Sequence, residues 1–208
     1  MTPLDRLRLP APMRAALEAA HCEPPRAYHT LGHAQAVLLE VEAVAAGPGW
    51  TRPREVALAA AYHDAVYVPG ARDNEARSAT LARAHIAQWM PDAGIDADRV
   101  AQLVGYTALH GRITAADLEA DPAPEDAMRF LDCDMAVLGA PPAVFDAYHR
   151  GIAAEYRGVV PAWLFAINRR RFLKALLARE RIFLSDDMHA RLDAQARINL
   201  RRAVTHKQ

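Results

Sequence analysis

Apolar residues return every three or four positions along most of this chain, and strict two-residue alternation is scarce, so the predicted elements are helices. The pattern predicts a helix over about 4–21, with Pro10 and Pro12 as points of disturbance. A second covers about 29–46 and stops at Gly47-Pro48-Gly49. A third covers about 52–67, with Thr51 as N-cap and Pro53 in its first turn. A loop through Pro69-Gly70 leads to Asp73, the expected cap of a helix over about 74–90 that Pro91 ends. Asp96 caps the next, which runs to His110 with Gly111 as its stop. Helices then follow over about 124–138 (ending at Gly139), 142–157, 160–180 and 186–205. With no internal repeat, low-complexity tract or linker, the expectation is one all-α domain, a compact helical bundle spanning 1–208.

The third segment stands apart. Val56 to Val66 carries almost no charge until His63-Asp64, and a helix apolar on nearly all sides belongs in the centre of a bundle. A polar pair placed there requires partners, because burying it unpaired is costly.

Composition narrows the function classes. Lys plus Arg balances Asp plus Glu at 25 each, so no global field recruits nucleic acid or an anionic membrane. Cys22 and Cys133 form no repeated spacing, which argues against a disulfide scaffold. The apolar stretch from Ala34 to Ala46 is interrupted by Glu40 and Glu42 and is too short to span a bilayer. The first residues show no basic segment followed by an apolar core. The expectation is a cytoplasmic protein without nucleic-acid or membrane partners; oligomeric state is left open.

The candidate chemistry is an ordered series of metal-capable residues: His29 and His33, then His63-Asp64, then Asp132 and Asp134. Imidazole nitrogen with carboxylate oxygen suits a divalent ion such as Mn, Fe, Co, Ni, Zn or Mg. His29 and His33, four apart, would share a helix face. They fit two ligands of one metal, one ligand and one substrate contact, or a pair of unremarkable surface or core histidines. His63 and Asp64 diverge by about 100° on a helix, so both reach one ion only if it sits beside the helix. Asp132 and Asp134 point to nearly opposite sides, leaving one for the site and one for another role. Glu75, at a helix N-terminus, fits a catalytic base or a partner of the helix dipole. Asn74 fits a phosphate contact or a local cap. His110 fits a substrate contact, a ligand of a second metal, or a helix-end histidine. Arg150, Arg169, Arg170, Arg171 and Arg181 are the natural phosphate-binding cations. Three consecutive arginines cannot all face inward, so most are expected in solvent or paired with Glu155 and Glu180. Tyr148, Tyr156 and Trp163 fit core positions better than a substrate platform.

The stretches YHTLGH (28–33), AYHDAVY (61–67), DNEARSA (73–79) and LDCDMAVLG (131–139) resemble the HD-domain superfamily of metal-dependent phosphohydrolases, within it a group of bacterial predicted HD phosphohydrolases. The resemblance extends from about 26 to 202. YHTLGHA also resembles the YHN-x-x-HA element of cyclic-nucleotide phosphodiesterases, with Thr30 in place of Asn.

The resemblance implies the ligands of one divalent ion, His33, His63, Asp64 and Asp134, with His29 protonating the leaving group. It favours Asp134 over Asp132. Two imidazoles and two carboxylates leave open positions on a six-coordinate ion for water and a phosphate oxygen, and Asp64 can also orient or deprotonate that water. The catalytic candidates are therefore His29, Asp64 and Glu75, and the substrate-binding ones Asn74, His110 and Arg150. The function expected is hydrolysis of a phosphate mono- or diester of a small, nucleotide-like molecule. Two alternatives accompany it. A di-iron oxygenase of the same fold needs a fuller ligand set than His110 can complete. A non-catalytic metal-binding module gains nothing from open coordination positions.

Overall fold

The computed structural model describes residues 1–205 of the 208. Among these it contains ten α-helices and no β-strand: α1 (Pro3–Arg6), α2 (Ala11–His21), α3 (Leu31–Ala45), α4 (Pro53–Tyr62), α5 (Asn74–Trp89), α6 (Ala97–Thr107), α7 (Pro124–Met135), α8 (Pro142–Glu155), α9 (Ala162–Ala178) and α10 (Asp186–Thr205). Short 3₁₀ turns occupy Ala116–Leu118 and Ala136–Gly139, and an isolated bridge joins Arg157 to Val160. Among the described residues, no helix is long and apolar enough to cross a membrane.

The expected 4–21 helix is two. The chain breaks at Leu7–Pro10, where Arg8 adopts φ +50° and Pro12 enters the first turn of α2. Asp96 caps α6 as expected, accepting a hydrogen bond from the Arg99 amide at 2.9 Å. Thr51 does not cap α4. Instead Asp126, from α7, accepts the Thr51 and Arg52 amides at 2.9 and 2.8 Å, a cap supplied from across the molecule. Asp73 precedes α5 without a side-chain cap bond. Gly139 ends its segment for a reason other than conformational freedom. A Cβ there would fall 2.7 Å from the Leu192 Cβ, so its small size lets α10 approach.

As its all-round apolarity predicts, α4 is the central helix, packed against α3, α5, α6 and α7. Val56, Ala59, Ala60, Ala61 and Tyr62 are fully buried. This places the end of α4, with His63 and Asp64, inside the molecule.

Candidate metal centre

Three segments converge at this site, each held by bonds to distant elements. The first is the turn before α3. One Glu155 oxygen, at the end of α8, accepts the amides of Ala27, Tyr28 and His29 at 2.8, 2.7 and 2.9 Å. Those amides are consequently not helical, and α3 starts at Leu31, two residues later than predicted. The second is the end of α4, which stops at Tyr62 rather than continuing to 67. There Arg26 donates to the carbonyls of His29, Asp64 and Ala65, and the Ser78 hydroxyl bonds both the amide and the carbonyl of Val66. Arg26 thus ties the His29 turn to the His63-Asp64 turn. The third is the last turn of α7, which carries Asp134.

The side chains meet closely. His33 Nε2 lies 3.0 Å from His63 Nε2, and Asp64 Oδ2 lies 3.4 and 3.0 Å from these two nitrogens. Asp134 Oδ1 is 3.0 and 3.3 Å from the same pair. His63 Nδ1 donates to the Ala60 carbonyl at 2.9 Å, which leaves the Nε2 of a neutral ring with a lone pair and no hydrogen. That lone pair faces another imidazole nitrogen and two carboxylate oxygens. Such a gathering of electron-rich atoms inside a protein calls for a cation.

Ligands about 2.0–2.2 Å from a common ion stand roughly 3–3.5 Å from one another, and the observed separations fall there. His33, His63 and Asp64 together could hold a metal ion. A backbone carbonyl holding the far nitrogen of a ligating histidine is the usual supporting contact. In the protein alone, protons fill the same need. Burial by itself would lower both histidines, but the carboxylates override it and hold His33 above, and His63 well above, the ordinary histidine value. Asp64 and Asp134 are correspondingly held well below the carboxylate range, against burial.

His29 stands next to this group rather than within it. Because α3 begins after it, His29 is not one helical turn below His33, as a continuous helix would have it. Its Nδ1 donates to Glu155 Oε2 at 2.7 Å, its ring lies 4.1 Å from that of Tyr67, and its Nε2 faces Asp64 Oδ2 at 4.0 Å. Burial pushes Glu155 upward, but His29 and the backbone donors bring it down to about 2, so it is an anion. Tyr67 donates to the same oxygen at 3.0 Å. Glu155 was expected to pair with arginines and instead orients His29; the sequence offers no periodicity that points to it.

A cavity of about 270 Å³ opens over the group, lined in part by His29, Asp64, Glu75, Thr107, His110 and Arg169. His110 Nε2 lies 2.7 Å from Asp134 Oδ2, so it touches the site through Asp134. Asn74 lines the cavity and closes its own loop, bonding the Val68 amide and carbonyl at 2.9 and 3.0 Å, a local use of the kind its position also allowed. Arg150 is exposed on α8 and does not line the cavity. Arg169 does, and among the described residues it is the one Arg or Lys in the lining. Its guanidinium stacks 4.9 Å from the Tyr148 ring and donates to the Tyr148 hydroxyl. Tyr148 and Tyr156, expected in the core, are cavity walls, and Trp163 is 66% exposed.

Asp132 takes the other role that the opposed pair requires. It is buried, accepts the Leu184 and Ser185 amides at 2.7 Å each and the Ser185 hydroxyl at 2.6 Å, and so anchors the chain entering α10. No protein-family model matches this chain, and no curated protein or solved structure matches it. What fold and site define is an all-α protein with a buried His/Asp group able to hold a metal ion.

Proposed function

We propose that this protein is a metal-dependent phosphohydrolase, cleaving a phosphate ester of a small molecule. The observation that carries the reading is the position of His63 Nε2, in a ring oriented by the Ala60 carbonyl, 3.0–3.3 Å from ligand-capable atoms of His33, Asp64 and Asp134. In this reading those four residues hold one divalent ion, and the likeness of YHTLGH, AYHDAVY and LDCDMAVLG to HD-domain phosphohydrolases supports the same set. An ion bound there would make hydroxide available near neutral pH and neutralise charge on the phosphoryl oxygens.

The chain's own residues divide the remaining work. Arg169 offers the cavity a fixed positive charge for the phosphate. Glu155 keeps the proton of His29 on Nδ1, so Nε2 is the nitrogen that exchanges a proton with the leaving oxygen. Asp64, 4.0 Å from that nitrogen, can orient the attacking water. Glu75, half-buried in the cavity wall, is the second carboxylate available as a base.

The test is to strip the purified protein with chelator, reload it in turn with Mn, Fe, Co, Ni, Zn and Mg, and assay phosphate release from a panel of nucleotides, sugar phosphates and simple esters. Release is expected only from reloaded protein. Asp64→Ala should lose both turnover and bound metal in elemental analysis. Full metal occupancy in Asp64→Ala would remove the ligand assignment. Oxygen consumption with a polyol, and no phosphate from any substrate, would replace the reading with an oxygenase.

A further inference from the structure

A second concavity adjoins the site, running between α3, the 136–139 turn, α8 and α10. It encloses about 600 Å³, against about 270 Å³ for the site cavity. Both have Tyr28, His33, Asp134, Val137 and Tyr148 in their walls, so the two meet at the His33–Asp134 pair. Past that shared wall the chemistry changes. The site cavity is crowded with titratable groups, whereas the groove is faced by Ala36, Ala140, Val144, Ala147 and Leu192. Two of its polar groups are engaged with other residues: Arg191 donates to Glu40, and the Tyr148 hydroxyl accepts from Arg169. Val144, although apolar, leaves 51% of its surface exposed on this wall.

We propose that this groove seats the organic part of the substrate, and that this part is an apolar aliphatic or aryl group rather than a sugar. The proposal rests on the phosphohydrolase reading for where the phosphoryl head sits. Ligand sites usually enclose about 300–1,000 Å³. The site cavity, below that range, suits the head alone, and the groove, within it, suits the remainder. A polyhydroxylated group would surrender hydrogen bonds to water and meet a wall made mostly of apolar side chains. An apolar group loses no hydrogen bonds and leaves water favourably. The small side chains facing the groove from α3 and α8, Ala36 and Ala147, are what keep it open.

The test uses alkylphosphonates from methyl to octyl, whose carbon–phosphorus bond resists hydrolysis, so binding is read without turnover. Their affinity for the metal-loaded protein is measured by calorimetry, alongside hydrolysis of the matching alkyl phosphates. Affinity is expected to rise with chain length, by up to about fourfold per methylene. Ala147→Trp, which fills the groove from an exposed position on α8, should flatten that rise while methylphosphonate affinity and metal content stay unchanged. Val144→Arg, also at an exposed position, should do the same should Ala147→Trp fail to fold. Affinity independent of chain length overturns the proposal, as does a rise that survives both substitutions. Chain-length-dependent binding with no hydrolysis of any ester would sink the phosphohydrolase reading and leave the groove as a site for apolar ligands. Hydrolysis of short esters with no gain from longer chains would do the reverse.

Discussion

The hydrogen-bond partners of His29 and Asp132 set their roles. His29 is hydrogen-bonded to Glu155 and to none of the four proposed ligands, so its loss should spare the metal. His29→Ala is expected to retain bound metal and fold while kcat falls about 10²–10⁴-fold, the usual contribution of a general acid. The fall should shrink for a nitrophenyl ester, whose leaving group needs no proton. Glu155→Gln should reproduce the kcat loss in part, because the amide can still accept from Nδ1 but no longer carries charge. Loss of metal from His29→Ala would instead make it a ligand. Asp132 separates from Asp134 by the opposite criterion. Burial lifts the Asp132 carboxyl to about 6, and Asp132→Ala leaves two amides and a hydroxyl without their acceptor. A stability loss of about 1–3 kcal/mol with metal content unchanged is expected, measured by denaturant titration and elemental analysis. Asp134→Ala should strip the metal; the reverse pattern would exchange the two roles.

At the scale of elements, the central helix depends on its neighbours at both ends. Asp126 caps the start of α4 from α7, and its carboxylate is buried where water cannot substitute for it. Asp126→Ala is expected to cost about 1–2 kcal/mol, the upper part of the range for a lost N-cap. For a chain of this size that lowers Tm by roughly 2–8 °C, readable by calorimetry. An unchanged Tm would mean that the Thr51 and Arg52 amides find other acceptors. At the other end, Arg26 and Ser78 stop α4 and turn His63 and Asp64 into the site. A continuous helix to 67 would keep those backbone groups in its own ladder and carry the two side chains about 100° apart.

For the molecule as a whole, burial makes stability depend on pH through His21, at the end of α2. Burial, with Arg26 nearby, depresses its pKa from 6.5 to about 4, although its Nδ1 hydrogen bond to the Leu17 carbonyl opposes this. Its Nε2 is buried without a partner, so a second proton there would have no acceptor. The unfolded chain takes up a proton near pH 6.5 and the folded one only near pH 4. The contribution of the neutral ring is therefore complete above 6.5 and is lost as pH falls towards 4. The difference corresponds to about 3 kcal/mol. His21→Leu should lose that much less stability than the wild type between pH 6.5 and 4, measured by denaturant titration at matched metal content. Parallel pH curves for the two proteins would refute the assignment.

By itself the sequence determined the helices, the centrality of α4 and the residue types of the site, because each is written in local periodicity, in turn residues or in a polar pair ending an apolar run. The expected 74–90, 142–157 and 186–205 helices lie within two residues of those observed, and Asp96 caps where its neighbours predict. Tertiary structure alone decided which polar groups meet. Two aspartates with similar surroundings along the chain were separated by what packs against them, Ser185 on one side and His33, His63 and His110 on the other. Glu155 reaches His29 across 126 positions and Arg26 reaches Ala65 across 39, and no spacing rule extends so far. Arg169 displaced Arg150 as the cavity's cation because α9, not the exposed face of α8, brings a guanidinium over the site. Helix formation is a matter of neighbours three and four residues apart, whereas hydrogen-bond partners are chosen by proximity after the chain has folded.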